Sequence, residues 1–531
     1  MLRSRIGMAI IALTASLSSA SAQFTNTYTW TGAVNGVWEH LSAPNNWTAT
    51  GALPPGTTPN SDTSRAFFNN NVNTAVSLTT TVALHTLEYG STAGAFTIGA
   101  GGTFSFANTG SAAILFNTGA GAQTINSAIT VNGALAVTNS SSNATTFGGA
   151  ITGATQTLSL TSAQTTTFSG NVNLGSLVKS GNGTLTFSGS TVAFATALTL
   201  NAGTTNINTT STSTIAGNIT GAGNLAQNGS GTTILTGTNS YGTTTITAGT
   251  LQVGNGGSTG TLGSGAVTNN ATLSFNRSDA TSVANNISGS GNLTKSGAGT
   301  MTYTGAGTYT GTTTISAGTL VVNGTLDNTG ATVTALSGTS LGGTGTINRA
   351  VTISSGSVIR GGDVGTIGTL NLTGATTVVG AASNGGQITT RTSGATSSGA
   401  GSVADPFVLS SNSLLALGGT GVLNLNPTAG KFRFLIENDS ALAQFTSYSL
   451  VLATANTGNQ FRRAGDGSAA FTTADFDVFG QNSANPFTDL QLTRTGNNLI
   501  LTFVTVPEPG LMLGLGAGVL ALGAFLRKRF A

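Results

Sequence analysis

Two stretches of this chain repeat each other almost residue for residue. One runs from Asn218 to Val253 (NITGAGNLAQNGSGTTILTGTNSYGTTTITAGTLQV) and the other from Asn286 to Val322 (NISGSGNLTKSGAGTMTYTGAGTYTGTTTISAGTLVV). They keep a spacing of 68 from Asn218/Asn286 through Tyr241/Tyr309, after which one inserted residue, Thr310, shifts it to 69. A partial third copy, LVKSGNGTLTFSG, spans Leu177 to Gly189 and aligns Lys179, Gly181 and Gly183 with Lys295, Gly297 and Gly299. Repeats of this length stack as similar units, each burying its apolar face against the next.

Within each copy the period is two. Thr300-Met301-Thr302-Tyr303-Thr304 and Thr184-Leu185-Thr186-Phe187-Ser188 alternate apolar residues with hydroxyls. That alternation, rich in β-branched residues, marks a half-buried strand. Gly221/Gly223, Gly289/Gly291 and Gly297/Gly299 punctuate the strands as turns. No long 3.6-residue apolar stripe precedes the final segment, so helices are not expected there. Sandwich, propeller and solenoid all use many short strands. The charge-poor, Thr-coated, Gly-turned texture favours a β-solenoid, with Ile219, Leu225, Ile234, Ile246, Leu251 and Val253 pointing inward.

Composition narrows the chemistry. Of 531 residues only 31 are Lys, Arg, Asp or Glu; there is no Cys, there are two His, and 97 are Thr. Disulfides and Cys-ligated metals are excluded. Between Glu88 and Arg277 the single charged side chain is Lys179. Disordered chains combine low hydrophobicity with high net charge; this one is 38% hydrophobic. Five of the 17 basic residues are Arg3, Arg5, Arg527, Lys528 and Arg529. Residues 23–506 hold 12 basic and 13 acidic residues, a net of −1, so no footprint for nucleic acid remains.

The two ends read as addresses. Arg3 and Arg5, an apolar run from Ile6 to Leu17, and Ala20-Ser21-Ala22 before Gln23 form a secretory signal peptide over 1–22. It predicts export through the Sec machinery, with cleavage at Ala20, Ala22 and Gln23. At the far end, Val506, Pro507, Glu508 and Pro509 precede an apolar run from Gly510 to Leu526, closed by Arg527, Lys528 and Arg529. That run is just long enough to cross a bilayer as a helix. The basic cluster should stay cytoplasmic. This three-part segment, 505–531, resembles the PEP-CTERM sorting signal of exported bacterial proteins. The resemblance implies recognition by an exosortase in the inner membrane and delivery to the cell surface or extracellular polymer matrix.

The repeats resemble the autotransporter-associated β-strand repeat, also called the passenger-associated transport repeat. Its features here are the Gly-x-Gly-Asn-Leu start, the Lys-Ser-Gly-x-Gly-Thr centre and the Tyr-x-Gly-Thr-Thr-Thr-Ile-x-Ala-Gly-Thr-Leu end. The match is clearest over 217–254 and 285–324, and it implies an all-β, right-handed parallel β-helix. Residues 91–385 are expected to form it, in about 12 to 14 coils of roughly 20 to 25 residues. Residues 505–531 are too short for an outer-membrane barrel.

Open sheet edges at solenoid ends aggregate, so atypical flanks are expected. Trp30, Trp38 and Trp47, with Pro44, Pro54, Pro55 and Pro59 among and after them, fit an N-terminal cap over 23–90. An aromatic sugar-binding face is the competing role for these Trp. Residues 386–504 are denser in apolar strands and regain charge at Arg462, Arg463, Asp466, Asp475, Asp477 and Asp489, a C-terminal β-rich module. Within it, 405–504 reads as the last coils plus a compact module, with a separate sandwich as the alternative.

Catalytic, cofactor and metal residues are not identified. No HExxH, GxGxxG or P-loop lysine motif occurs. Glu39 and His40 are adjacent and so would face opposite ways on a strand. Asp466, Asp475 and Asp477 lack the EF-hand and nonapeptide calcium patterns. The expectation is a non-enzymatic structural or adhesive surface protein, with exopolysaccharide as its expected contact. The alternative is an ice-binding or surface-templating protein using Thr243/Thr245/Thr247 and Thr312/Thr314. A carbohydrate-active β-helix enzyme is disfavoured by the shortage of acids and bases.

Overall fold

A computed structural model describes most of residues 26–505: coverage is continuous from 112 to 363, with short gaps before it, and after it the strands and a few flanking residues. The signal segment with Ala20, Ala22 and Gln23, and the sorting segment with Val506, Pro507, Glu508, Pro509, Arg527, Lys528 and Arg529, lie outside the described residues. Every regular element among the described residues is a β-strand, and none is a helix long and apolar enough to cross a membrane.

The chain divides into two compact units, Met1–Gln164 and Thr165–Ala531. Both are parallel β-solenoids. In the first unit the strands Asn26–Trp30, Ser64–Phe68, Thr86–Tyr89, Ala112–Phe116, Leu135–Asn139 and Ile151–Ser162 stack in parallel. One antiparallel strand, Trp47–Thr50, pairs with Asn26–Trp30. An aromatic stack runs along the inside of this unit. Phe68 lies 5.2 Å from Tyr89, and Tyr89 lies 5.2 Å from Phe116, with nearly parallel rings. That separation is close to the 4.7–4.9 Å between neighbouring strands, so side chains at one register position must stack.

In the second unit each coil has three sides, and register steps give its length. Leu185, Thr205, Leu225, Thr244, Val267 and Ile287 are successive partners, steps of 20, 20, 19, 23 and 20 residues. A second ladder joins Thr233, Leu251, Leu273, Leu293, Thr313 and Val333. The third joins Leu177, Leu198 and Ile219, and restarts at Thr281, Met301, Leu320, Leu341 and Ile359. The ladder runs on without a break at 386: Gln387–Arg391 pairs with Val358–Arg360 on one side and Phe432–Glu437 on the other, all parallel. The unit ends in an antiparallel arrangement of Ser447–Ala455, Asn498–Thr505 and Phe487–Thr495.

The alternation of apolar and hydroxyl residues dictates which side of each strand faces in. Ile219, Leu225, Ile246, Leu251 and Val253 are all buried, at 2% exposure or less. Ile234 is the exception. It is partly exposed, while Thr233 and Leu235 are fully buried. Parity explains the correction: Leu235 claims the interior, and Thr233 satisfies its hydroxyl inside by donating to Gln227 Oε1 at 2.6 Å. Ile234 then falls on the outward parity.

The spacing of 68 is not a whole number of coils. From Leu225 three register steps reach Ile287, and Leu293 lies one side further on. From Leu177 two steps reach Ile219, and Leu225 again lies one side further. Successive copies therefore sit on successive sides: Leu177, Leu225 and Leu293 occupy three different ladders.

Candidate functional site

The repeat motif can be followed atom by atom. The Asn of Gly-x-Gly-Asn-Leu clamps the turn of the next coil. Asn224 Oδ1 accepts from the Thr243 N–H at 2.9 Å and its hydroxyl at 2.8 Å. Asn292 Oδ1 does the same for Thr312, at 2.9 and 3.0 Å. The motif's Tyr is buried, and its hydroxyl meets the second Thr of the Thr-Thr-Thr run: Tyr241 with Thr244 at 3.0 Å, Tyr309 with Thr313 at 2.6 Å. The first Thr thus serves the exterior clamp and the second fills the interior. The Gly of Ala-Gly-Thr-Leu has positive φ in both copies, 63° at Gly249 and 66° at Gly318, and a Cβ at Gly318 would collide with the Gly299 carbonyl.

The motif's cation is also internal. Lys179 is 2% exposed and Lys295 1%. Lys179 Nζ donates to Gly181 O at 3.0 Å and Ala202 O at 2.6 Å. Lys295 Nζ donates to Gly297 O and, at 3.1 Å, to Ala317 O. Gln227 takes the same place in the middle copy, donating to Gly229 O at 2.8 Å and Gly231 O at 3.2 Å. These side chains tie down corner carbonyls; of them Gly231 O also accepts from the Thr250 N–H at 3.0 Å. Burial lowers the Lys179 pKa and pushes that of Lys295 down to about 8.

Several other charged groups among the described residues also have partners. Arg349 is fully buried, donating to Tyr309 O at 2.8 Å and Gly307 O at 3.2 Å, with its guanidinium 4.0 Å from the centre of the Tyr309 ring. Nothing in the local sequence singles it out. Glu88 is held by Arg65 Nη2 at 2.6 Å and Asn117 Nδ2 at 2.8 Å. His85 Nδ1 lies 3.0 Å from the Thr86 hydroxyl. Glu39, His40, Asp466 and Asp475 lie outside the described residues. Asp477 is placed in register with Arg433, and Arg462 with Asn424.

Trp30, Trp38 and Trp47 are buried at 0, 0 and 3% exposure. Trp38 and Trp47 meet edge to face at 4.6 Å, and Trp30 and Trp47 at 4.9 Å. They present no aromatic platform to a sugar.

The outward positions carry hydroxyls. Ser274, Thr294, Thr314, Thr334 and Thr352 are successive register partners, and Thr377 holds the next position. The four threonines with described side chains, 294 to 352, are partly exposed. Neighbours along one column are about 4.8 Å apart. The Thr-x-Thr width is found at Thr312/Thr314 and recurs at Thr332/Thr334, but Ala350 narrows the next rung. On the adjacent side, Thr245, Thr268 and Ser288 align, with Ala226 interrupting the column below.

Comparison with known families matches the passenger-associated-transport-repeat at residues 177–207, 225–253 and 293–322. No curated protein matches the chain. The matched segments fall on the three copies described above: the first and third carry the buried lysines Lys179 and Lys295, and the second and third the buried tyrosines Tyr241 and Tyr309. Such repeats on a parallel solenoid fit an exported surface or passenger-like protein.

Proposed function

We propose that this chain is an exported bacterial cell-surface or extracellular-matrix protein with a structural or adhesive role, and that it is not an enzyme. The match to a passenger-associated repeat on a parallel solenoid supports this most directly. In this view residues 1–22 direct Sec export, 23–90 cap a right-handed coil, and 505–531 hold the chain in the inner membrane until an exosortase acts on Val506–Pro509. Exopolysaccharide is the proposed contact. Catalysis has little to work with, because Lys179, Lys295 and Arg349 bond backbone carbonyls inside the coils. The test is delivery. Replacing Pro507, Glu508 and Pro509 with alanine should leave the chain membrane-associated and abolish surface labelling; unchanged surface labelling refutes exosortase sorting.

A second role draws on the column from Thr294 to Thr352: an ordered hydroxyl surface that templates ice or another lattice. Inhibition of ice recrystallisation by the purified chain, lost on Thr314→Lys, would favour it. The change to Ala350 in the neighbouring column limits the regular two-column face to two rungs.

A further inference from the structure

On one side of the second unit the ladder is interrupted. After Asn218–Thr220 the next regular strand on that side is Thr281–Val283. Between them the chain passes twice as irregular segments, 236–243 and 254–266. The rungs remain linked: Ser240 N–H donates to Ile219 O at 2.8 Å, Thr261 N–H to Gly237 O at 3.1 Å, and Asn285 Nδ2 to Gly263 O at 2.8 Å. But 254–266 bulges, pinned by Arg277, which donates to Gly260 O at 2.6 Å and Ser258 O at 2.7 Å. A pocket of about 370 Å³ opens between this segment and the strand Thr281–Val283.

The pocket has an apolar floor and a polar rim. Val253, Leu262, Phe275 and Val283 form the floor, all at 7% exposure or less. Thr281, Ser282 and Asn285 stand at the rim. Asn285 spends its amide donors on Gly263 O and Gly265 O, so its Oδ1 is left to accept. In a parallel ladder alternate residues direct both N–H and C=O to the same neighbour. Thr304 N–H bonds Val283 O at 2.9 Å; Thr281 and Val283 therefore serve the following coil. Ser282 turns its backbone N–H and C=O the other way, toward the pocket, where no strand runs to receive them.

We propose that this pocket binds one or two neutral pyranose rings. The lining carries no charged side chain, and desolvating a phosphate, carboxylate or ammonium there without a partner is prohibitive. A purely apolar ligand would leave the Ser282 N–H and Asn285 Oδ1 unpaired. A pyranose satisfies both demands: its C–H face covers the apolar floor and its hydroxyls meet the rim. The volume falls at the lower end of small-ligand sites, about 300 to 1,000 Å³. The pocket deepens the surface role proposed above, and rests on it only for the expectation that polysaccharide is at hand.

Saturation-transfer NMR on the full chain tests this, with glucose, galactose and N-acetylglucosamine as free sugars and as methyl glycosides, and dextran as a polymer. Glucose 6-phosphate, cyclohexanol and a Thr-Val-Thr-Val peptide serve as controls. At least one neutral sugar should bind, and Ser282→Phe and Ala284→Phe, each filling the rim, should weaken it at least tenfold at unchanged melting temperature. Binding to methyl glycosides and dextran alike identifies a polymer contact; binding to free sugars alone identifies a soluble ligand. The proposal is overturned if no neutral sugar binds, if the charged or peptide probe binds instead, or if whichever variant folds binds sugar unchanged. Surface labelling of cells is scored separately, so a chain that reaches the surface but ignores sugars sinks the pocket alone.

Discussion

Raising the pH from 7 to 10 should stabilise this protein, and the two repeat lysines should be the reason. Lys295 is 1% exposed, and burial brings its pKa from 10.5 to about 8. Lys179 shifts the same way for the same reason. The folded state thus gives up these protons before the unfolded chain does. Where the unfolded state binds more protons, stability rises with pH. The burden of the buried ammonium is complete below about pH 8 and fades between 8 and 10.5. For Lys295 alone the gain from pH 7 to 10 is at most about 2.5 kcal/mol. Its two carbonyl acceptors still favour the ammonium, and penetrating water screens it, so about 1 to 2 kcal/mol is the working figure. Above pH 10 the sign reverses. Burial raises the pKa of Tyr89, Tyr241, Tyr303 and Tyr309, that of Tyr241 to about 12. Their contribution is intact below the unfolded value near 10 and is lost as the pH climbs. Thermal melting from pH 7 to 11 should therefore show a maximum near pH 10. Lys179→Met with Lys295→Met should remove the rising limb and keep the fall. A wild-type curve that is flat or falling from pH 7 to 9.5, or a double variant that still rises, refutes the argument.

Removing the Asn292 clamp with Asn292→Ala should cost about 1 kcal/mol and speed hydrogen exchange at the Thr312 amide, leaving Thr243 protected by Asn224. Trp38→Ala should cost about 3 to 5 kcal/mol, because a fully buried ring wedged against Trp47 and Phe104 leaves a cavity. A denaturation midpoint unchanged by that substitution would mean the tryptophans do not stabilise the first unit.

Much of the architecture was legible because a solenoid has a local grammar. Period-two alternation specified strands, glycines specified corners, and repetition specified stacking; five of six inward assignments follow from these. Ile234 shows where the grammar fails. In Thr232-Thr233-Ile234-Leu235 two apolar residues are adjacent, and parity cannot choose between them without knowing that Gln227 waits inside for Thr233. The interior fate of Lys179 and Lys295 was hidden for a related reason: their hydrogen-bond partners are carbonyls, which carry no side-chain signature. The pocket was invisible because it depends on which rung falls opposite Thr281–Val283. The sorting and cleavage residues were read from sequence alone, and they lie beyond the described strands.

The one-third-turn offset between copies has a consequence for how such a chain can lengthen. Its unit of insertion is a side, about seven residues when a coil of 20 is divided by three. Adding one side, or seven, or ten, keeps every downstream side chain on its inward or outward parity while rotating it to the next face. A duplication therefore does not have to match the coil to be tolerated. It does, however, reassign which face each exposed threonine decorates, so the coat can be reshuffled without disturbing the interior.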